Sequence, residues 1–154
     1  MTNSVITKKQ ISDMISEEFR YFFDLRLDSV TSDLQQPFQL LAEAINLFCK
    51  FTNINKKAEL FFNLGNQGTA FSPDFVFQYH INPPAIHIYY NHCIFFNLHI
   101  SKQCDSRMQI AMYLEELAHC YMNISDEILV KKVVCSMYPL VRYNELEDQY
   151  EINE

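Results

Sequence analysis

The period of the apolar residues changes twice along this chain, and that change constrains the fold more than any other feature. Ile11, Ile15, Phe19 and Phe22 recur at helical spacing, with Glu17, Glu18 and Asp24 elsewhere on the wheel. This predicts an amphipathic first helix over roughly residues 7 to 28. After the polar break Ser29 to Gln36, Pro37 suits a first helical position. Phe38, Leu41, Ile45 and Phe48 then share one face and Leu40, Ala44, Leu47 and Phe51 another, so the second helix is apolar nearly all round and belongs at the centre. Ala58 to Leu64 reads as a short strand, with Gly65-Asn66-Gln67-Gly68 as its turn. Phe75, Phe77 and Tyr79 alternate with Val76, Gln78 and His80, and Asn82-Pro83-Pro84 stops that strand. Ile86, Ile88 and Tyr90 form the next inward face, and Ile94, Phe96, Leu98 and Ile100 the one after. The two are joined across Asn91-His92, where Asn tolerates the left-handed conformation of a hairpin turn. Helical spacing returns with Ile110, Leu114, Leu117 and Tyr121, then with Val130, Val134 and Met137, ending at Pro139.

This order predicts a segregated α+β fold: two N-terminal helices, a three- to four-stranded mainly antiparallel sheet, and two C-terminal helices as a helical hairpin. A length of 154 residues at 49% hydrophobic content encloses one good core. The expectation is a single globular domain over residues 1–143 followed by an acidic C-terminal tail over 144–154. No run approaches the roughly 18 apolar residues of a membrane span, and Met1 to Gln10 lacks the apolar core of a signal peptide. The expected location is therefore the cytoplasm. Five cysteines form no CxxC pair and make an odd total, which reads as reduced thiols and argues against a disulfide framework or a zinc ribbon. The net charge of -7, with five acids and no base in the tail, opposes binding to nucleic acid. It favours plain solubility or a basic protein partner, for which Glu145, Glu147, Asp148 and Glu151 are the candidate contacts.

The chemistry-bearing stretch is Glu115-Glu116-Leu117-Ala118-His119, one residue away from the HExxH helix of a zinc peptidase. Histidines four apart project to one side of a helix and grip zinc, and the intervening Glu faces the metal-bound water as general base. With the strand Cys93 to Leu98 before it and a helix ending in Met137-Tyr138-Pro139 after it, the segment resembles the small zincins of the ImmA/IrrE and minigluzincin type. The resemblance covers roughly residues 85 to 139 and implies an antiparallel sheet over the metal helix. It also implies Glu116 as base, His119 as second ligand, and Glu127 or Asp126 as third ligand. A tight helical hairpin about residues 123 and 124 would bring residue 127 or 128 level with His119. Glu115 stands where the first histidine belongs, so the site would be Glu115, His119 and Glu127, holding zinc or a harder divalent ion such as Mn or Fe. Two anionic ligands reduce the metal's Lewis acidity, which makes this a poor peptidase site.

A plain structural reading competes: in the same hairpin Glu115 and Glu116 lie level with Lys131 and Lys132 and pair with them, while Asp126 and Glu127 serve the first turn after a Ser125 cap. An ExxH di-iron bundle is set aside because the chain offers no second ExxH. His80, His87, His92 and His99 scatter over the expected sheet as surface or half-buried residues, and Asn97 is either an edge residue for substrate or an ordinary strand asparagine. Cys120 and His119 point about 100° apart on a helix and make no catalytic dyad. The reading adopted from the sequence is a non-catalytic acidic protein-binding domain on a peptidase-like scaffold, of immunity or antitoxin type, with no cofactor, no nucleic acid and no membrane. The alternative is a metal-dependent hydrolase with a variant EExxH site and Glu116 as its catalytic residue.

Overall fold

A computed structural model describes residues 4–63, 66–71 and 73–154. Val5–Thr7 (β1) pairs antiparallel with Ser29–Thr31 (β3), and between them lies Lys8–Met14 (α1). Thr7 opens α1 with a reciprocal cap: its hydroxyl accepts from Gln10 N at 3.2 Å, and Gln10 Oε1 accepts from Thr7 N at 2.8 Å. The helix ends far earlier than residue 28. Arg20 folds back to donate to the carbonyls of Ile15 and Asp13, at 2.7 and 3.2 Å, and Glu17–Phe22 forms a 3-10 turn. Phe23–Arg26 is a strand (β2) that buries Phe23 and Leu25. The apolar stripe from Ile11 to Phe22 fits a helix, yet the last few residues also alternate, and pairing with a strand distant in sequence decides for β.

Gln35–Phe51 (α2) is the central helix that the sequence predicts, burying Phe38, Leu41, Ala44, Ile45 and Phe48. Pro37 sits in its first turn, where no intrahelical N–H bond is lost. Ala58–Asn63 (β4) follows; Leu64, its expected last residue, and Gly65, which opens the expected turn, lie outside the described residues. Gln67–Phe71 (β5) and Val76–His80 (β6) form a separate antiparallel ribbon, in which the side chain of Phe77 also lies outside the described set.

Ile88–Tyr90 (β7) and Cys93–Asn97 (β8) complete a four-stranded sheet of order β2-β4-β8-β7. Its β2–β4 and β4–β8 pairings are parallel and only β8–β7 is antiparallel, which corrects the expectation of a mainly antiparallel sheet. The reason is the connections. A long crossover through α2 returns the chain parallel, whereas Asn91, at φ 55°, makes the tight turn that an antiparallel pair needs. Every residue of β8 is buried: Ile94 and Phe96 face the helices, while Cys93 and Phe95 pack with Phe61 and Ala70 beneath the ribbon. That two-sided burial explains the unbroken apolar run Cys93 to Phe96. Leu98 and Ile100, expected to extend the strand, belong instead to a one-turn helix, Leu98–Ser101 (α3), together with His99.

Ser106–Met122 (α4) and Glu127–Met137 (α5) pack together and against α2. Asn123 turns the chain with φ 55°, and Asp126, not Ser125, caps α5 by accepting from the N–H groups of Ile128 and Leu129. The segment 144–154, expected as a tail, is largely folded. Val141–Asn144 (β9) and Gln149–Ile152 (β10) make an antiparallel hairpin, and Val141 and Tyr150 are buried in the same core as Ile6. Its acids hide an alternation of Val141, Tyr143, Tyr150 and Ile152. Among the described residues no helix is long and apolar enough to cross a membrane.

Candidate metal centre

One turn of α4 separates Glu115 from His119, and the left-handed Asn123 followed by the Asp126 cap brings Glu127, in the first turn of α5, back level with His119. A carboxylate oxygen of each glutamate and a ring nitrogen of His119 all lie within 4.8 Å of one another. His119 Nε2 is 3.4 Å from Glu127 Oε2. A direct charged hydrogen bond would close that gap to about 2.7–2.9 Å. Two ligands on one tetrahedral zinc, at about 2.0–2.2 Å from the ion, stand about 3.3–3.5 Å apart. The ring is fixed in the orientation a ligand requires. His119 Nδ1 lies 2.5 Å from the carbonyl of Ile124, which can only accept, so Nδ1 carries a proton and Nε2 is the ring nitrogen turned toward the cluster. Tyr89, on β7, stacks on the imidazole at 4.4 Å and 13°.

Negative charge in the cluster is under-compensated. Glu115 Oε2 accepts from the Tyr150 hydroxyl at 2.7 Å, yet burial still raises its pKa against the pull of Tyr150 and Lys131. Glu116 is buried, its Oε2 has no hydrogen-bond partner, and burial together with the charges of Glu115 and Glu127 holds its carboxyl well above the usual range. Among the described residues, the ammonium in the cluster is that of Lys131. It stands 3.6 Å from Glu115, 3.7 Å from Glu127 and 3.7 Å from Asp148, with its side chain 12% exposed. The cluster opens to solvent on the side of Glu127, whose side chain is 63% exposed.

The expected pairing of Glu115 with Lys131 is present, but Lys132 turns away to Glu145 at 3.3 Å. Asp126 is occupied as the α5 cap, and Glu127 is the acid that converges with Glu115 and His119. Of the candidate partner contacts, Glu151 is held by Arg142 at 2.9 Å and Asn144 at 2.7 Å, and Asp148 by the Tyr143 hydroxyl at 2.6 Å. Glu147 is exposed beside Leu146, which is 97% exposed at the hairpin tip. His87, expected near the surface, is buried: Nδ1 accepts from Asn97 N at 3.0 Å, and desolvation lowers its pKa to about 3, so the ring is neutral. Asn97 is buried too and caps α3 by accepting from Ile100 N at 3.2 Å, which leaves it no role as an edge residue for substrate. Tyr150 and Tyr89 are the site residues that sequence reasoning missed. For Tyr150 the available signal was its alternation with Ile152.

Two cavities, of about 400 and 580 Å³, lie elsewhere, the first over Arg26, Phe61 and Tyr79 and the second between α2 and Tyr138. Compared with known proteins, the chain matches no family model, no curated protein and no solved structure.

Proposed function

We propose that the α4–α5 centre is a divalent-cation site and that the protein is a metal-dependent hydrolase with a variant EExxH motif. The observation that carries this reading is the 3.4 Å separation of His119 Nε2 from Glu127 Oε2, with Nδ1 tied to Ile124: a ligand spacing, too long for a direct charged hydrogen bond. Glu115, His119 and Glu127 would hold the ion, and a donor set of one imidazole and two carboxylates suits Mn or Fe as well as Zn. When bound, such an ion supplies Lewis acidity toward a carbonyl and acidifies water. Tyr150 orients Glu115 through its hydroxyl, Ile124 fixes the His119 tautomer, and Tyr89 holds the ring flat. Glu116 follows Glu115 on the helix as the proton acceptor, and burial with the neighbouring carboxylates holds its carboxyl well above the usual range.

The test is metal analysis of protein purified without chelators. A stoichiometric metal content that falls in both His119→Ala and Glu127→Gln, with chelator-sensitive cleavage of an unstructured polypeptide such as casein, supports the reading. Metal content that ignores both substitutions refutes it.

A second reading, a non-catalytic acidic protein-binding domain of immunity or antitoxin type, draws on a different observation. The Lys131 ammonium already stands among three carboxylates, and the β9–β10 tip presents Leu146 between Glu145 and Glu147 to a basic partner. Metal-free wild-type protein whose fold and Lys131 pairing are unaffected by chelator would favour it.

A further inference from the structure

A second convergence of metal-ligating atoms lies on the sheet, away from α5. The register of the parallel strands sets Asp24, Glu59 and Cys93 on one rung of β2, β4 and β8, and parallel neighbours in register point their side chains to the same face. The turn at Asn91 then delivers His92 beside them. Glu59 Oε2 lies 2.9 Å from His92 Nε2 and 3.5 Å from Cys93 Sγ, and the three ligand atoms fall within 4.8 Å of one another. Thiolate and carboxylate ligands on a tetrahedral zinc stand about 3.5 Å apart, and imidazole and carboxylate about 3.3 Å. The sulfur–oxygen spacing already fits. The nitrogen–oxygen spacing needs to open by roughly 0.4 Å to reach the zinc geometry, a movement available to His92, whose side chain is 41% exposed.

The charges also close. Arg26 lies 2.5 Å from Glu59 Oε1, the other oxygen of that carboxylate, and is balanced by Asp24 at 3.1 Å. Glu59 brings a carboxylate and Cys93, once deprotonated, a thiolate, two anionic ligands for one dication. We propose that Glu59, His92 and Cys93 form a second cation site, selective for a soft or borderline divalent ion such as Zn²⁺ because it contributes a sulfur ligand. Binding expels the Cys93 thiol proton to solvent, His92 carries its ring proton on Nδ1, and water from the exposed side of His92 completes the tetrahedron. This site is independent of the α4–α5 centre, which has no sulfur.

Cobalt(II) titration separates the two. In the wild type, one equivalent of Co²⁺ is expected to produce a near-ultraviolet sulfur-to-cobalt charge-transfer band. The band should vanish in Cys93→Ser, weaken at least tenfold in apparent affinity in His92→Ala, and survive in Glu127→Gln. Zn²⁺ should bleach it, and Mg²⁺ should not. Absence of the band in wild type, or its persistence in a folded Cys93→Ser protein through Cys104 or Cys135, overturns the assignment. Absence of manganese binding at the α4–α5 centre of the wild type, with the band intact, would sink only the reading of that other centre.

Discussion

Replacing Lys131 by methionine tests whether the carboxylates of the α4–α5 centre are arranged around a cation. The ammonium lies 3.6 Å from Glu115 Oε1 and 3.7 Å from Glu127 Oε2. An ion bonded to both oxygens at about 2.0–2.2 Å would stand no more than roughly 6 Å from that nitrogen, with ~5 Å a middle value. A double and a single charge at ~5 Å repel by about 1.7 kcal/mol even under full aqueous screening, which is roughly an eighteenfold change in Kd. With the Lys131 side chain only 12% exposed, screening is weaker than that and the repulsion larger. Movement of the ammonium toward Asp148, 3.7 Å away, recovers part of it. Methionine keeps an unbranched side chain and removes the ammonium, which lies 5.7 Å over the Tyr143 ring. The expected result is a Kd for Mn²⁺ lower by at least about tenfold than in wild type, read by isothermal titration calorimetry with circular dichroism confirming the fold. Unchanged or weaker binding by folded Lys131→Met would refute the reasoning, since a cation in that position cannot be indifferent to a neighbouring ammonium.

Tyr150→Phe removes the hydroxyl that donates to the half-buried Glu115 carboxylate at 2.7 Å. Urea unfolding of metal-free protein should show a loss of about 1–3 kcal/mol, and a loss below about 0.5 kcal/mol would contradict the role given to this bond. The Glu116 carboxyl has a folded-state pKa well above its ordinary 4.5, so its contribution to stability is complete below about 4.5 and is lost as pH rises toward the folded value. Glu116→Gln, neutral throughout, should therefore exceed wild type in chelator by a margin that widens with pH above 4.5; a margin constant with pH would count against a protonated Glu116. Asn123 holds the left-handed turn between α4 and α5 at φ 55°. Asn123→Gly should stay within about 1 kcal/mol of wild type and Asn123→Val should cost more than that, because a β-branched side chain resists positive φ; equal stabilities would show that this turn is not the hinge of the centre.

The parts of the fold legible in the sequence are those with a long local pattern. The central helix follows from Phe38 to Phe51, and the turn at Asn91 from a residue suited to positive φ between two apolar runs. The meeting of Glu115, His119 and Glu127 was legible for the same reason, since a four-residue link between helices leaves little freedom. What was not legible depends on partners far away in the chain. Phe23 and Leu25 extend a helical stripe on paper and become a strand because β4 pairs with them. Parallel order cannot be read from β8 itself, whose residues are buried on both faces. The acids of 144–154 dominate the composition there, while Val141 and Tyr150 set the structure. Glu59 is more than thirty positions from His92, so no local spacing announces that they touch.

The central claim, that Glu115, His119 and Glu127 converge to hold one divalent ion, is tested most directly by titrating Mn²⁺ into isotopically labelled protein and following paramagnetic broadening by NMR. One saturable site is expected, with broadening that centres on Tyr89, His119 and Glu127 and disappears in His119→Ala. Broadening spread without saturation over the exposed acids Glu145, Glu147 and Glu154, with His119 untouched, would contradict it.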